Sequence, residues 1–143
     1  MNEIYHHALK LLRRRDYTGM QLRRKLVEKF GKAPEDVVAQ LQAKRFLDDR
    51  RYAENFIRNH PDSHPDRIRR ELEEAGVGRE TLTLAMSAID WPSLQDVLKA
   101  KMLVWRLRAP LQRRDAARLF RALSRLGYAE EEIREELEQL HEQ

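Results

Sequence analysis

Phe46-Leu47-Asp48-Asp49-Arg50-Arg51-Tyr52-Ala53, followed by Arg67-Ile68-Arg69-Arg70-Glu71-Leu72 and Gly76-Val77, is the stretch that decides the fold. Asp48 has the side chain of a helix N-cap and Asp49 is a first-turn acid, each complementing the partial positive charge of a helix start. Tyr52, Ala53, Phe56 and Ile57 then share one helical face. Pro61 and Pro65 bracket a polar turn, Ile68 and Leu72 restart an apolar stripe, and Gly76 stands where a C′ glycine ends a helix. Leu82, Ala85 and Met86 mark a third, short helix. The whole reads as one three-helix unit.

The flanking thirds repeat that plan. Ile4, Ala8, Leu11 and Leu12 mark a first helix that ends in Arg13-Arg14-Arg15. Thr18 and Gln21 form a capping-box pattern, opening a helix with Leu22, Leu26, Val27 and Phe30 inside and Gly31 at its end. Pro34 suits a first helical position, ahead of Val37, Val38 and Leu41. After Asp90-Trp91-Pro92, Ser93 caps a helix through Leu94, Val97, Leu98, Met102 and Trp105, which Ala109-Pro110 is expected to break. Ala116, Leu119, Phe120, Leu123 and Leu126 run up to Gly127, and Ile133 and Leu137 mark the last helix. Leu22 and Leu26 align with Ile68 and Leu72 at an offset of 46, and these with Leu119 and Leu123 at 51. Val37 and Leu41, Leu82 and Met86, and Ile133 and Leu137 all fall six and ten positions past a closing glycine. Such a period marks a repeat array whose units share apolar faces. The expectation is an all-α chain of three tandem three-helix repeats, 1–45, 46–90 and 91–143, forming one continuous, elongated or curved array.

Composition narrows the function. Of the 143 residues, 36% are charged and 41% apolar, and the net charge is +4. With no cysteine, disulfides, thiolate catalysis and Cys-ligated zinc are excluded. The Met-Asn-Glu-Ile start lacks a signal-peptide pattern and no apolar run approaches a membrane span, so a soluble, cytoplasmic protein is expected. Carboxylates fall at helix starts or opposite basic neighbours, as Glu73 and Glu74 do four residues after Arg69 and Arg70. His60 and His64 have helical ligand spacing, but Pro61 and Pro65 put them in a turn. No phosphate-cradling glycine loop or nucleophile elbow is present. The expectation is a protein without catalytic residues, metal or cofactor.

Charge is unevenly distributed. Leu98 to Arg125 carries nine Lys/Arg and one acid, whereas Tyr128 to the end carries seven Glu and one Arg. Arg114, Arg118, Arg121 and Arg125 fall within an arc of about 60°, opposite the Ala116–Leu119–Leu123 stripe. Along the helix this stripe is about 16 Å long. It is either a solvated face, paired with the Glu-rich last helix, or an electropositive track for phosphates or an acidic protein surface. Arg13-Arg14-Arg15 and Arg23-Arg24-Lys25 lie near the first turn and can neutralise phosphates without reading sequence. Few aromatics are free to stack on bases: Tyr17 is the best placed, whereas Trp105, Phe56 and Phe120 look buried.

The Leu47–Ala53 stretch, Arg67–Leu72 and Gly76-Val77 resemble the bacterial RecX regulators. The shared pattern is an acidic pair before an aromatic-Ala helix, then R-I-x-x-E-L and a closing glycine. Asp48, Asp49, Tyr52, Ala53, Ile68, Glu71, Leu72 and Gly76 carry the match. Ala8, Leu11, Leu12, Thr18-x-x-Gln21-Leu22 and Lys25-Leu26 extend it to the first repeat, and Leu123 through Gly127-Tyr128 to Ile133 extend it to the last. His64-Pro65-Asp66 stands where members often have a glycine, and Gln21 where they have Glu. The resemblance implies a non-enzymatic modulator of the RecA recombinase. Such a protein would bind the RecA–DNA filament groove and inhibit ATP hydrolysis, strand exchange and co-protease activity. Exposed basic residues are then the contact candidates: Arg23, Arg24, Arg50, Arg51, Arg67, Arg70, Arg114, Arg118, Arg121 and Arg125. A monomer contacting the filament, and secondarily the DNA phosphate backbone, is expected. Two other readings stay open: a basic helical nucleic-acid-binding module with no recombinase partner, and a helical-repeat adaptor between proteins.

Overall fold

Helix starts and stops in this chain are set by local chemistry. The computed structural model describes residues 2–141. Among them the regular structure is helical: α1 (Glu3–Arg14), α2 (Gly19–Phe30), α3 (Glu35–Ala43), α4 (Asp49–Asn59), α5 (Pro65–Glu74), α6 (Arg79–Ser87), α7 (Leu94–Trp105), α8 (Arg113–Arg125) and α9 (Glu130–His141). Thr18 and Ser93 open α2 and α7 with full capping boxes, in which Gln21 and Asp96 accept back from the cap N–H. Gly31, Gly76 and Gly127 have φ of 76°, 95° and 101°, the left-handed geometry that lets the last carbonyls of a helix find donors.

The chain forms two compact units. One holds the residues up to Asn59 together with Arg69–Ile89; the other holds His60–Ile68 and the residues from Asp90 onward. In the first unit, Ala8, Tyr17, Leu22, Leu26, Val37, Val38, Leu41 and Leu47 form a core drawn from α1, α2, α3 and the segments that follow α1 and α3. Further along the same unit α4 packs against α6, with Ala53, Ile57, Leu82, Ala85 and Met86 buried. In the second unit, α7, α8 and α9 enclose Val97, Leu98, Leu111, Ala116, Leu119, Leu123, Tyr128, Ile133 and Leu137. The His60–Ile68 segment belongs to this unit: the His64 N–H donates to the Leu126 carbonyl at 2.8 Å, and the His64 ring meets Tyr128 edge-on at 5.1 Å.

Three sequence expectations are corrected. Val27 is 49% exposed rather than inside; on α2 it lies about 120° away from the Leu22–Leu26 line. The α7 helix ends at Arg106, ahead of Ala109-Pro110: Arg106 adopts φ 58° and the Leu107 N–H donates to the Met102 carbonyl at 2.8 Å. A non-glycine residue there closes the helix at a cost of roughly 1–2 kcal/mol. Pro34, with ψ 129°, precedes the first turn of α3 instead of occupying it.

Candidate functional site

The residues of the Asp48–Gly76 motif act first on one another. Asp48 Oδ1 accepts from the Arg51 N–H at 3.1 Å and so caps α4. Asp49, one residue on, turns to another helix: its Oδ1 accepts from the Gly19 N–H at 2.8 Å, a first-turn donor of α2 that α2 itself cannot satisfy. The Thr18 hydroxyl accepts from the Gln21 N–H at 3.1 Å and donates to the Ala75 carbonyl. Gln21 Nε2 reaches the Tyr52 hydroxyl at 3.4 Å. Gly76 lies against Met20, so that a Cβ there would sit 2.5 Å from the Met20 Cβ. The α2 start, the α4 start and the α5–α6 turn are therefore fastened together within the first unit. Ile68 and Leu72 are fully buried, and Ala53 with them.

The basic candidates divide into engaged and unengaged groups. Arg23 grips Glu35 with Nε and Nη2, each at 3.2 Å. Arg50 pairs with Glu54 at 3.3 Å. The Arg51 guanidinium donates to the carbonyls of Arg45 and Phe46 at 2.8 and 3.1 Å, tying the loop after α3 to the first turn of α4. Arg67 is half-buried, its aliphatic stem packed under Gly127. Arg24 and Arg70 are exposed. On α8, Arg114, Arg118, Arg121 and Arg125 are all exposed. The Arg118 guanidinium lies 3.9 Å from the centre of the Trp105 ring, which also has Lys101 Nζ at 5.5 Å. Among the described residues no carboxylate of α9 pairs with the α8 arginines; Arg134 of α9 pairs with Glu130 at 3.6 Å and covers Phe120. By the helical period the four arginines share one face of α8, and all four are exposed.

Tyr17, expected to be the residue freest to stack on a base, is 9% exposed. It stands at N′ of α2 in the same core as Leu22 at N4, the pair that forms a hydrophobic staple, and the Arg15 guanidinium lies 4.8 Å above its ring. Trp105, expected to be buried, is half-exposed under its two cations. Two exposed apolar features lie outside the expected contacts: Phe46, 46% exposed beside Arg45, and Leu103 and Val104, 80% and 77% exposed in the last turn of α7. Leu103 lies opposite the Leu94–Val97–Leu98–Met102–Trp105 stripe of α7, as the helical period requires, whereas the exposure of Phe46 follows from Arg45, a non-glycine residue in left-handed geometry.

Among the described residues no group of three His, Cys, Asp or Glu side chains is placed to hold a metal. His64 Nδ1 instead accepts from the Asp66 N–H at 3.0 Å. No described helix is long and apolar enough to cross a membrane.

No family model matches the chain. It is similar to the regulatory protein RecX of Cronobacter sakazakii, with 32% identity over 88% of this chain and 85% of that one. It is likewise similar to the regulatory protein RecX of Pseudomonas fluorescens, at 35% identity over 85% of this chain and 81% of that one. In fold it resembles the crystal structure of RecX from Lactobacillus salivarius, with a TM-score of 0.64 and 16% identity, covering 96% of both chains. The helical order, the fastened acidic pair and the closing Gly76 thus sit in a chain whose relatives match it over most of its length, and the chain belongs to the RecX family of regulatory proteins.

Proposed function

We propose that this protein is a non-enzymatic negative regulator of the RecA recombinase. It acts in the cytoplasm as a monomer, binds the groove of the RecA–DNA filament and inhibits ATP hydrolysis, strand exchange and co-protease activity. Three helical repeats, 1–45, 46–90 and 91–143, supply successive contacts. The observation that carries the reading is the α8 cationic face, four exposed arginines without a carboxylate partner among the described residues of α9. A face of that kind suits an acidic protein surface and DNA phosphate together. Arg24, Arg50 and Arg70 add exposed charge in the first unit, while Arg23, Arg51 and Arg67 hold local structure and contribute at their margins.

Reversing charge on the face tests it. Arg118 packs on Trp105, so the cleaner variant is Arg114→Glu with Arg121→Glu. With unchanged helicity by circular dichroism, filament binding should fall by at least about tenfold, mostly as a slower association at low salt. Undiminished binding by that folded variant removes α8 from the contact. A second reading, a nucleic-acid-binding module with no recombinase partner, is favoured by the exposed Arg13, Arg14, Arg24 and Arg45. It requires affinity for bare nucleic acid that falls linearly in log–log salt plots and no effect on recombinase activity.

A further inference from the structure

The loop after α3 presents an aromatic ring on a rigid support. Arg45, at φ 61°, reverses the chain so that Leu47 enters the core at 2% exposure while Phe46 stays outside at 46%. The backbone N–H groups of Phe46 and Leu47 donate to the Leu41 carbonyl at 2.9 and 3.2 Å. The two Arg51 donors hold the carbonyls of Arg45 and Phe46 from the other side. Beside the ring opens a cleft of about 200 Å³, lined by Leu9 and Leu12 of α1, by Asp16, and by Arg13, Arg45 and Arg51. Asp16 is fixed in place by Asn55 Nδ2, 3.0 Å from its Oδ2. The side chains of Arg13 and Arg45 are exposed and have no partner among the described residues, and Arg14 next in sequence is exposed too.

We infer that this cleft is a nucleobase site, taking one unstacked base of a single-stranded nucleic acid. The base lies on the Phe46 ring, its N–H edge turned to the Asp16 carboxylate, with flanking phosphates on Arg13 and Arg45. Each part has a chemical counterpart. Every base has a π-face to stack, carboxylates accept from the amino groups of bases, and guanidinium groups neutralise phosphates. An acidic peptide fits less well, because its carboxylates would answer only the arginines and leave the Phe46 ring without a planar partner. A lone apolar side chain would leave both Asp16 and the arginines unused. The inference goes beyond the regulatory reading and needs no recombinase.

The test uses the whole chain with a short oligothymidylate carrying one 2-aminopurine, whose fluorescence is quenched on stacking. The native protein should bind it and quench the probe, and should bind the matching duplex more weakly, since paired bases cannot enter the cleft. Phe46→Ala should lose the quenching and about tenfold in affinity, with unchanged circular dichroism and only a small drop in melting temperature, because the ring is about half exposed. Phe46→Trp should retain both. Equal affinity and equal fluorescence for the native protein and Phe46→Ala would overturn the inference, as would equal binding of duplex and single strand. Displacement of the oligonucleotide by an oligoglutamate peptide with an apolar end, from the native protein but not Phe46→Ala, would assign the cleft to a protein partner instead. No recombinase enters the assay, so its failure leaves the regulatory reading standing.

Discussion

Gly76 is where the fold tolerates a side chain least, and the cost of adding one can be worked from geometry. At φ 95° an L-residue is strained, a penalty of roughly 1–2 kcal/mol. A Cβ would also lie 2.5 Å from the Met20 Cβ, 2.9 Å from its Sδ and 3.0 Å from its Cε. The thioether can swing aside, but the Met20 Cβ cannot move without its backbone, and overpacking of this kind adds about 1–3 kcal/mol. Gly76→Ala should therefore destabilise by roughly 2–5 kcal/mol. Gly31 is the internal control, with φ 76° and nothing within 4 Å of its added Cβ. Gly31→Ala carries the backbone strain alone, so the difference between the variants isolates the contact with Met20. Urea unfolding followed by far-UV circular dichroism reads that difference as a shift in midpoint at constant slope. Equal destabilisation of the two, within about 0.5 kcal/mol, would refute the argument that α2 and the α5–α6 turn meet too closely for a side chain.

Two further perturbations address the motif and the second unit. Asp49→Ala removes the acceptor of the Gly19 N–H and should cost about 1–2 kcal/mol in urea unfolding, a cap's worth. Arg50→Ala, which loses an exposed ion pair, should stay within about 1 kcal/mol; equal costs would deny Asp49 its role across helices. Tyr128 is buried, its hydroxyl has no hydrogen-bond partner among the described residues, and burial, then the Asp62 carboxylate, push its phenol above the ordinary 10.0. The folded state thus holds this proton more tightly than the unfolded chain. Its contribution is fully present below the unfolded phenol pKa and is lost as pH rises through the folded one. Tyr128→Phe should be neutral or stabilising by up to about 1 kcal/mol at neutral pH. It should also lose less stability than the native protein in alkaline thermal melts. A destabilised variant at neutral pH would mean that the hydroxyl has a partner.

Local chemistry made much of this fold readable in advance. Thr18 with Gln21 and the glycines at 31, 76 and 127 declare helix ends by residue type, because few other residues do their work. The alternation of apolar residues placed Leu22, Leu72, Leu119 and Ile133 in the interior, where they lie. What escaped was long-range or exceptional. Arg106 ends α7 in a geometry that glycine usually takes, so the chain offered no sign of it. Asp49 is the first-turn acid of α4 that its position suggests, but its hydrogen bond to Gly19, thirty residues away, was not foreseeable. Tyr17 looked free because the staple that buries it depends on how α1 and α2 meet. The arginine face on α8 was legible from the helical period, since charges opposite a core stripe must point to solvent. The Phe46 cleft was not, because its exposure follows from the reversal at Arg45.

The central claim, regulation of a recombinase filament, is tested most directly by ATP hydrolysis of the cognate RecA on single-stranded DNA, titrated with this protein. The proposal predicts that hydrolysis falls at well below one protein per RecA protomer, as expected of a regulator that acts on filament growth or disassembly. Hydrolysis that stays constant through stoichiometric amounts, while bare nucleic acid is bound with a steep salt dependence, would contradict it and leave a nucleic-acid-binding module in its place.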